Sequence, residues 1–426
     1  MKKRVYNFII KNLVFLFLFA TLAQAYDFPH FYRASYFFGE PRLQKDKLTS
    51  LDISIAGGST RHARNCNGDT ICLMDLYGPS NMQKLGAGIP DKNPTDPADL
   101  ALIYLERVAP RDGFGFISYS GKFSLIETIF SLTQNFNNGF FVQLLIPFKY
   151  MKLNDVCWAD LTPTCDDSCP GQNNLYWQMF LNQFDTILDK YCLHLGSWKD
   201  THLGDISFLT GFTCNYQETI VLDYIDFTFK MGVSFPSGRE RSLYQIFDIP
   251  TGYDGHIGIP MQLDASIGIF DWLTVGAHGD FIPFLSKTKK IRMKTDYNQC
   301  GPIKLGQGCA LIKKGHIFDI GTYLKADHFS HGFSLLFGYS YDKKYKDELT
   351  PKDPCLFDVA IVNTDPILNE WDMHTIHFLA EYDFAKENRR FCPRTSIFYN
   401  WQIYGRNVLK NNMFGGSFGF DIAWNY

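Results

Sequence analysis

The stretch from Phe140 to Tyr150 constrains the chain more than any other. Phe140, Val142, Leu144, Ile146, Phe148 and Tyr150 are large and apolar, with Gln143 and Lys149 among the residues between them. Side chains two residues apart share one face of an extended strand, so this segment has one greasy face and one mixed face. The pattern recurs. Ile225, Phe227, Phe229, Met231, Val233 and Phe235 alternate with Asp226, Thr228, Lys230 and Ser234, and Ile397, Tyr399, Trp401 and Ile403 alternate with Ser396, Asn400 and Gln402.

Period-2 patterning predicts strands at 49–59, 117–132, 139–151, 204–214, 223–235, 258–270, 273–285, 316–327, 332–343, 373–384, 394–405 and 414–426. Most are longer than the typical globular strand of about 5–6 residues. They suit a tilted bilayer crossing of about 9–11 residues. In 117–132 the apolar face changes phase near Leu125–Ile126, which predicts a bulge there.

The connections alternate in length. Long ones (60–116, 152–203, 236–257, 286–315, 344–372) are separated by short ones at 133–138, 215–222, 271–272, about 329–331 and 386–390. Only 406–412 is short where the series calls for a long one. Long extracellular loops, short periplasmic turns and an even number of antiparallel strands are the habit of outer-membrane barrels. The expectation is an all-β fold: an antiparallel transmembrane β-barrel of twelve strands over residues 49–426. A soluble sandwich would account for the alternation alone, but not for the long strands and the loop asymmetry.

Both ends of the chain fit export. Lys2, Lys3, Arg4 and Lys11 precede an apolar run from Leu13 to Leu22 and then Ala23-Gln24-Ala25, so residues 1–25 are expected to be a secretory signal. Residues 26–48 are then a periplasmic segment or plug. At the other end Phe418, Phe420, Ile422, Trp424 and Tyr426 alternate with small or polar residues. That resembles the terminal-strand signal read by the outer-membrane assembly machinery, except that Asp421 stands where the signal often has glycine, with Gly419 two residues earlier. Net charge is −3, so no nucleic-acid partner is expected; aromatics reach 16%, with 39 Phe and 23 Tyr, which is high for a soluble protein but does not by itself decide the class. Trp401, Tyr399, Trp424 and Tyr426 are expected in the barrel's interfacial girdles, and the expected partners are outer-membrane lipid, the assembly machinery and small solutes.

"THLGDISFLTGF" (201–212), "FKMGVSFPSG" (229–238) and "GIFDWLTVGAHGDF" (268–281) resemble porin-like outer-membrane proteins related to the phenol-degradation (MetA-pathway) family. The matching elements are Leu203-Gly204-Asp205 opening a strand and Phe235-Pro236-Ser237-Gly238 ending the next one, with PSG in place of the family's PTG-like element. The resemblance covers roughly 80 residues and implies a channel for small, often hydrophobic or aromatic molecules.

Strand parity turns Asp52, Glu127, Asp205, Asp226, Asp264, Asp280, Asp319, Glu381, Asp383 and Asp421 inward, against Lys149, Lys230 and Lys325. Such an excess of carboxylates would favour cations in a pore. The same groups could instead pair and fill a narrow lumen, because wide aqueous channels belong to barrels of roughly 16–18 strands. Lys149, Lys230, Asp264, His278, Asp280 and His377 are the mid-depth lumen candidates, with Asp226, Glu381 and Asp421 as further lumen-lining candidates. Trp177, Phe180, Leu181, Phe184, Ile187, Leu188 and Tyr191 recur at helical spacing, predicting an amphipathic helix within 174–194 that caps the mouth or packs on the rim.

No enzyme activity is expected. His328 and Ser330 would offer a hydrolase pair, but they fall in a periplasmic turn. His374 and His377 face opposite sides of one strand, no Cys/His spacing fits zinc, and neither metal nor cofactor is expected. In an oxidising compartment Cys66–Cys72 and Cys300–Cys309 are expected to bridge, with one pair among Cys157, Cys165 and Cys169. Function then divides into a porin-like passive channel and a barrel-anchored surface protein with a closed lumen.

Overall fold

The computed structural model describes residues 48–89, 94–108, 113–164, 171–217, 222–270, 272–330, 332–384 and 391–423. The expected signal segment, residues 26–47, Cys165, Cys169, Trp424 and Tyr426 lie outside them. Twelve long strands follow in order: β1 (Leu48–Thr60), β2 (Phe116–Asn135), β3 (Phe140–Asp160), β4 (Ile206–Gln217), β5 (Tyr224–Phe235), β6 (Met261–Phe270), β7 (Leu273–Ile282), β8 (Ile317–Ser330), β9 (Phe333–Lys344), β10 (Trp371–Asp383), β11 (Phe391–Arg406) and β12 (Met413–Ala423). Each pairs antiparallel with its sequence neighbours, and β1 pairs with β12, so the sheet closes on itself. Every predicted strand is present.

Closure leaves no edge, and the outer surface is apolar around the wall. Ile53, Phe130, Phe148, Phe208, Phe227, Leu324, Phe337, Phe378, Trp401 and Phe418 all project outward and are exposed. In water such a band would be unfavourable; in hydrocarbon it is the favoured surface, and the paired backbone needs no water. This is a membrane-spanning β-barrel.

Strand β2 corrects one expectation. Its inward face keeps odd numbering throughout (Ile117, Tyr119, Phe123, Leu125, Glu127, Ile129, Thr133), with no change of phase at Leu125–Ile126. The register irregularity lies higher, between Ser120 and Lys122. What changes at Leu125 is polarity: below it the lumen face is polar and the outside apolar, and above it Ser118, Ser120, Lys122 and Ser124 turn out while Tyr119 and Phe123 turn in. The strand has left the bilayer there, and its outer face meets water. Strand β3 does the same through Met151 and Leu153, which is why it continues to Asp160, well past the predicted end at 151.

Those inward apolar side chains belong to a cap built by the long loops. Tyr119, Phe123, Leu125, Met151 and Leu153 share one core with Leu73, Met74, Leu85, Phe114, Ile246, Phe247, Ile303 and Leu305. Two helices lie in it, α1 (Pro97–Glu106) and α2 (Leu175–Lys190). Asn174 caps α2 by accepting from the Tyr176 and Trp177 amides at 3.0 and 3.2 Å. Its stripe of Trp177, Phe180, Phe184, Ile187 and Leu188 is buried in that core. Lys190 ties it to Asp99 of α1 at 2.8 Å.

The expected disulfides are not made: Cys66, Cys72, Cys300 and Cys309 are free thiols. Cys72 pairs across its hairpin with His62, while Cys66 sits in the turn beside Asn67. Cys300 turns its thiol to Pro79 O, 3.2 Å away, and Cys309 lies on a strand opposite Lys290. Cys157 is also free, with Sγ 2.9 Å from Ser120 Oγ.

The Leu203-Gly204-Asp205 and Phe235-Pro236-Ser237-Gly238 motifs lock into each other. The fully buried Asp205 carboxylate accepts from Gly238 N at 2.8 Å and from Tyr253 N. Ser237 Oγ donates to Gly204 O at 2.8 Å and accepts from Ile206 N at 2.9 Å. These contacts fold loop 236–260 back onto the wall, and Arg239 fixes it further through two 2.6 Å bonds to Asp248. Asp205→Ala removes an acceptor shared by the buried Tyr253 amide and the partly buried Gly238 amide and should loosen that loop by about 1–3 kcal/mol, seen as faster proteolysis within 236–260 with the barrel intact.

The same loop buries His256, whose Nδ1–H donates to Leu285 O at 2.9 Å. Burial, with the Lys314 charge nearby, pushes its pKa down to about 4. The unfolded loop, with histidine near 6.5, therefore takes up its proton first as pH falls. Stability is intact above about pH 6.5 and declines toward pH 4, by on the order of 3 kcal/mol. Hydrogen exchange of the loop between pH 7 and 4 should show this slope, and His256→Gln should flatten it.

Candidate lumen site

The register of β5 to β9 brings residues far apart in sequence into one row across the inner wall: Lys230, Gln262, Asp280, Asp319 and Asp342. One step toward the periplasm lie Thr228, Asp264, His278, Gly321 and Ser340. His278 Nε2 stands 2.9 Å from Asp319 Oδ1, and its ring lies over Gly321, where any Cβ would collide with it. Tyr323 O–H donates to Asp264 Oδ1 at 3.4 Å.

Below and beside this row, His377 of β10 directs Nδ1–H to Asn400 Oδ1 at 2.9 Å and sets Nε2 3.0 Å from Ser340 Oγ. Ser340 Oγ in turn lies 3.3 Å from Asp342 Oδ2. A hydrogen-bonded chain thus runs from β11 through β10 to β9 and into the carboxylate row.

Of the mid-depth candidates, Lys230, Asp264, His278 and Asp280 are cross-strand neighbours, and His377 joins them through Ser340. Lys149 does not. It pairs instead with Glu127 at 3.4 Å on β2 and β3, both side chains being buried. Asp226 bonds to Asn215 Nδ2, Glu381 lies opposite Ser334 and Ser396 toward the periplasmic end, and Asp421 sits lower still, 3.5 Å from Arg394. His328 and Ser330 fall at the periplasmic end of β8.

Asp342, Ser340, Asn400 and Arg394 were not singled out by sequence. Parity could have found them: Asp342 and Ser340 alternate with Tyr339 and Tyr341, and Arg394 and Asn400 share parity with Ser396.

Lys230 and Asp342 are 7% exposed, Asp280 and His278 5%, Asp319 2% and His377 1%. Gln262 and Asp264 in the same rows are only partly buried. The charge balance is acidic, with four carboxylates in the two rows against Lys230. Among the described residues no group of three or more His, Cys, Asp and Glu could hold a metal ion.

No known protein family matches the sequence, and no curated protein does. Several solved structures overlap the chain. An outer membrane channel from Pseudomonas putida F1 is 10% identical, with 89% of this chain and 96% of that one covered and a TM-score of 0.47. The Pseudomonas putida toluene transporter TodX is 8% identical, with 94% and 96% covered and a TM-score of 0.32. The translocator domain of autotransporter NalP from Neisseria meningitidis is 9% identical, with 89% of each chain covered and a TM-score of 0.33.

Proposed function

We propose that this barrel is a passive outer-membrane channel for small solutes, with the row Lys230, Gln262, Asp280, Asp319 and Asp342 as its constriction. The observation that carries this is the ionisable cluster itself. Charged groups at membrane depth are costly, and a wall that served only as an anchor could fill its lumen with apolar side chains at no such cost. The excess of carboxylates favours cations and disfavours anions. Neutral molecules, including the small aromatic ones implied by the family resemblance, meet no repulsion there. In this reading the long side chains Lys230 and Gln262 swing aside as a solute passes the row.

A second reading, a barrel that anchors its loops as a surface structure, is favoured by the burial of Lys230, Asp280, Asp319 and Asp342 and by the shared apolar core of the cap. Swelling of liposomes carrying the refolded protein separates the two. A channel should admit small cationic and neutral solutes faster than anions of similar size. No swelling with any solute would leave the anchor.

A further inference from the structure

The terminal strand departs from its expected pattern at Asp421 and Gly419, and both departures lead to one arginine. Register sets Arg394 of β11, Gly419 of β12 and Asp52 of β1 side by side, facing the lumen. The Arg394 side chain passes over Gly419, which has no side chain to block it, and reaches the strand beyond. Its Nε donates to Asp52 Oδ1 at 3.1 Å, and Nη2 donates to Ser50 Oγ at 2.9 Å and to Asp52 Oδ2. Nη1 lies 3.5 Å from Asp421 Oδ2. A Cβ at position 419 would collide with the Asp52 carboxylate and come within 3.0 Å of Arg394 Nε. Glycine at 419 makes the crossing possible, and aspartate at 421 supplies its third partner.

This crossing spans the one place where neighbouring barrel strands are not consecutive in the chain. Elsewhere in the ring each pair is joined by its own turn or loop, whereas β1 and β12 meet only through their ladder, from Leu48 opposite Ala423 to Gly57 opposite Phe414. The last strand is also poor at holding itself, since Gly415, Gly416 and Gly419 fall within it and interior glycines weaken strands. The guanidinium is 12% exposed, Asp421 9% and Asp52 28%, so water screens the contact only in part.

We propose that Arg394 is an ionic clasp on the closing seam of the barrel, holding β1 against β12 from inside through Asp52, Ser50 and Asp421. Planar forked geometry matters here, because one group must satisfy acceptors on two strands at once. The clasp is independent of whether the lumen conducts.

Hydrogen exchange on the full-length protein in detergent or lipid tests it, using Arg394→Met and Arg394→Lys. Arg394→Met should exchange on the order of tenfold faster in peptides from 48–57 and 413–423, while 206–217 and 224–235 keep the wild-type rate. Arg394→Lys should fall between the two. If Arg394→Met does not assemble, Asp52→Asn is measured the same way and should show the same seam-restricted change to a smaller degree. Unchanged exchange at the seam, or equal acceleration at β4 and β5, would overturn the proposal.

Discussion

Leu324→Arg is expected to destabilise the folded barrel by about 2–4 kcal/mol in urea unfolding from lipid vesicles, the cost of an outward cation deep in the bilayer. Leu324 projects from β8 between Val275 on β7 and Phe337 on β9, and is 49% exposed on the isolated chain. In the membrane that exposure is to acyl chains. Phe420→Asp, nearer the periplasmic rim and beside Phe391, should impair insertion less. Asp421→Asn faces the lumen, loses only the 3.5 Å contact to Arg394, and should stay within about 1 kcal/mol of wild type. Equal penalties on outward and inward faces would mean that the faces are wrongly assigned.

Lys230→Met should cost more than almost any other lumen substitution, about 3–5 kcal/mol, because it leaves buried carboxylates without their opposite charge. Asp280 and Asp264 are the acidic groups whose fields act on Lys230. Adding Asp280→Asn to Lys230→Met should recover part of the loss, since the strongest uncompensated charge is then gone. Equilibrium unfolding of the two single variants and the double variant gives the coupling directly. Additivity across the cycle would show that Lys230 is not paired with the row.

The strands and their faces were legible because the environment is constant along each crossing. Lipid lies on one side and lumen on the other, so Phe140 to Tyr150 or Ile225 to Phe235 betrays its orientation residue by residue. The signal misleads where a strand leaves the bilayer. At Leu125–Ile126 the outer face turns polar and the inner face joins the cap, which reads as a change of phase although the parity never changes. Rows across strands are a different matter. That Lys230, Gln262, Asp280, Asp319 and Asp342 stand at one depth depends on the stagger between neighbouring strands, and period-2 patterning within a strand carries no trace of stagger. Asp342 escaped notice for a related reason, lying one residue inside the predicted end of its strand. The cysteine expectation rested on sequence proximity within loops, yet Cys66 lies in a hairpin turn and Cys72 on the strand after it, opposite His62.

Single-channel recording of the refolded protein in a planar bilayer, with reversal potentials in a salt gradient, tests the channel most directly. Discrete conductance steps with a cation-selective reversal potential, reduced in Asp280→Asn, are predicted. A folded barrel that stays silent under every potential would contradict a conducting lumen and leave the cap and its loops as the working surface.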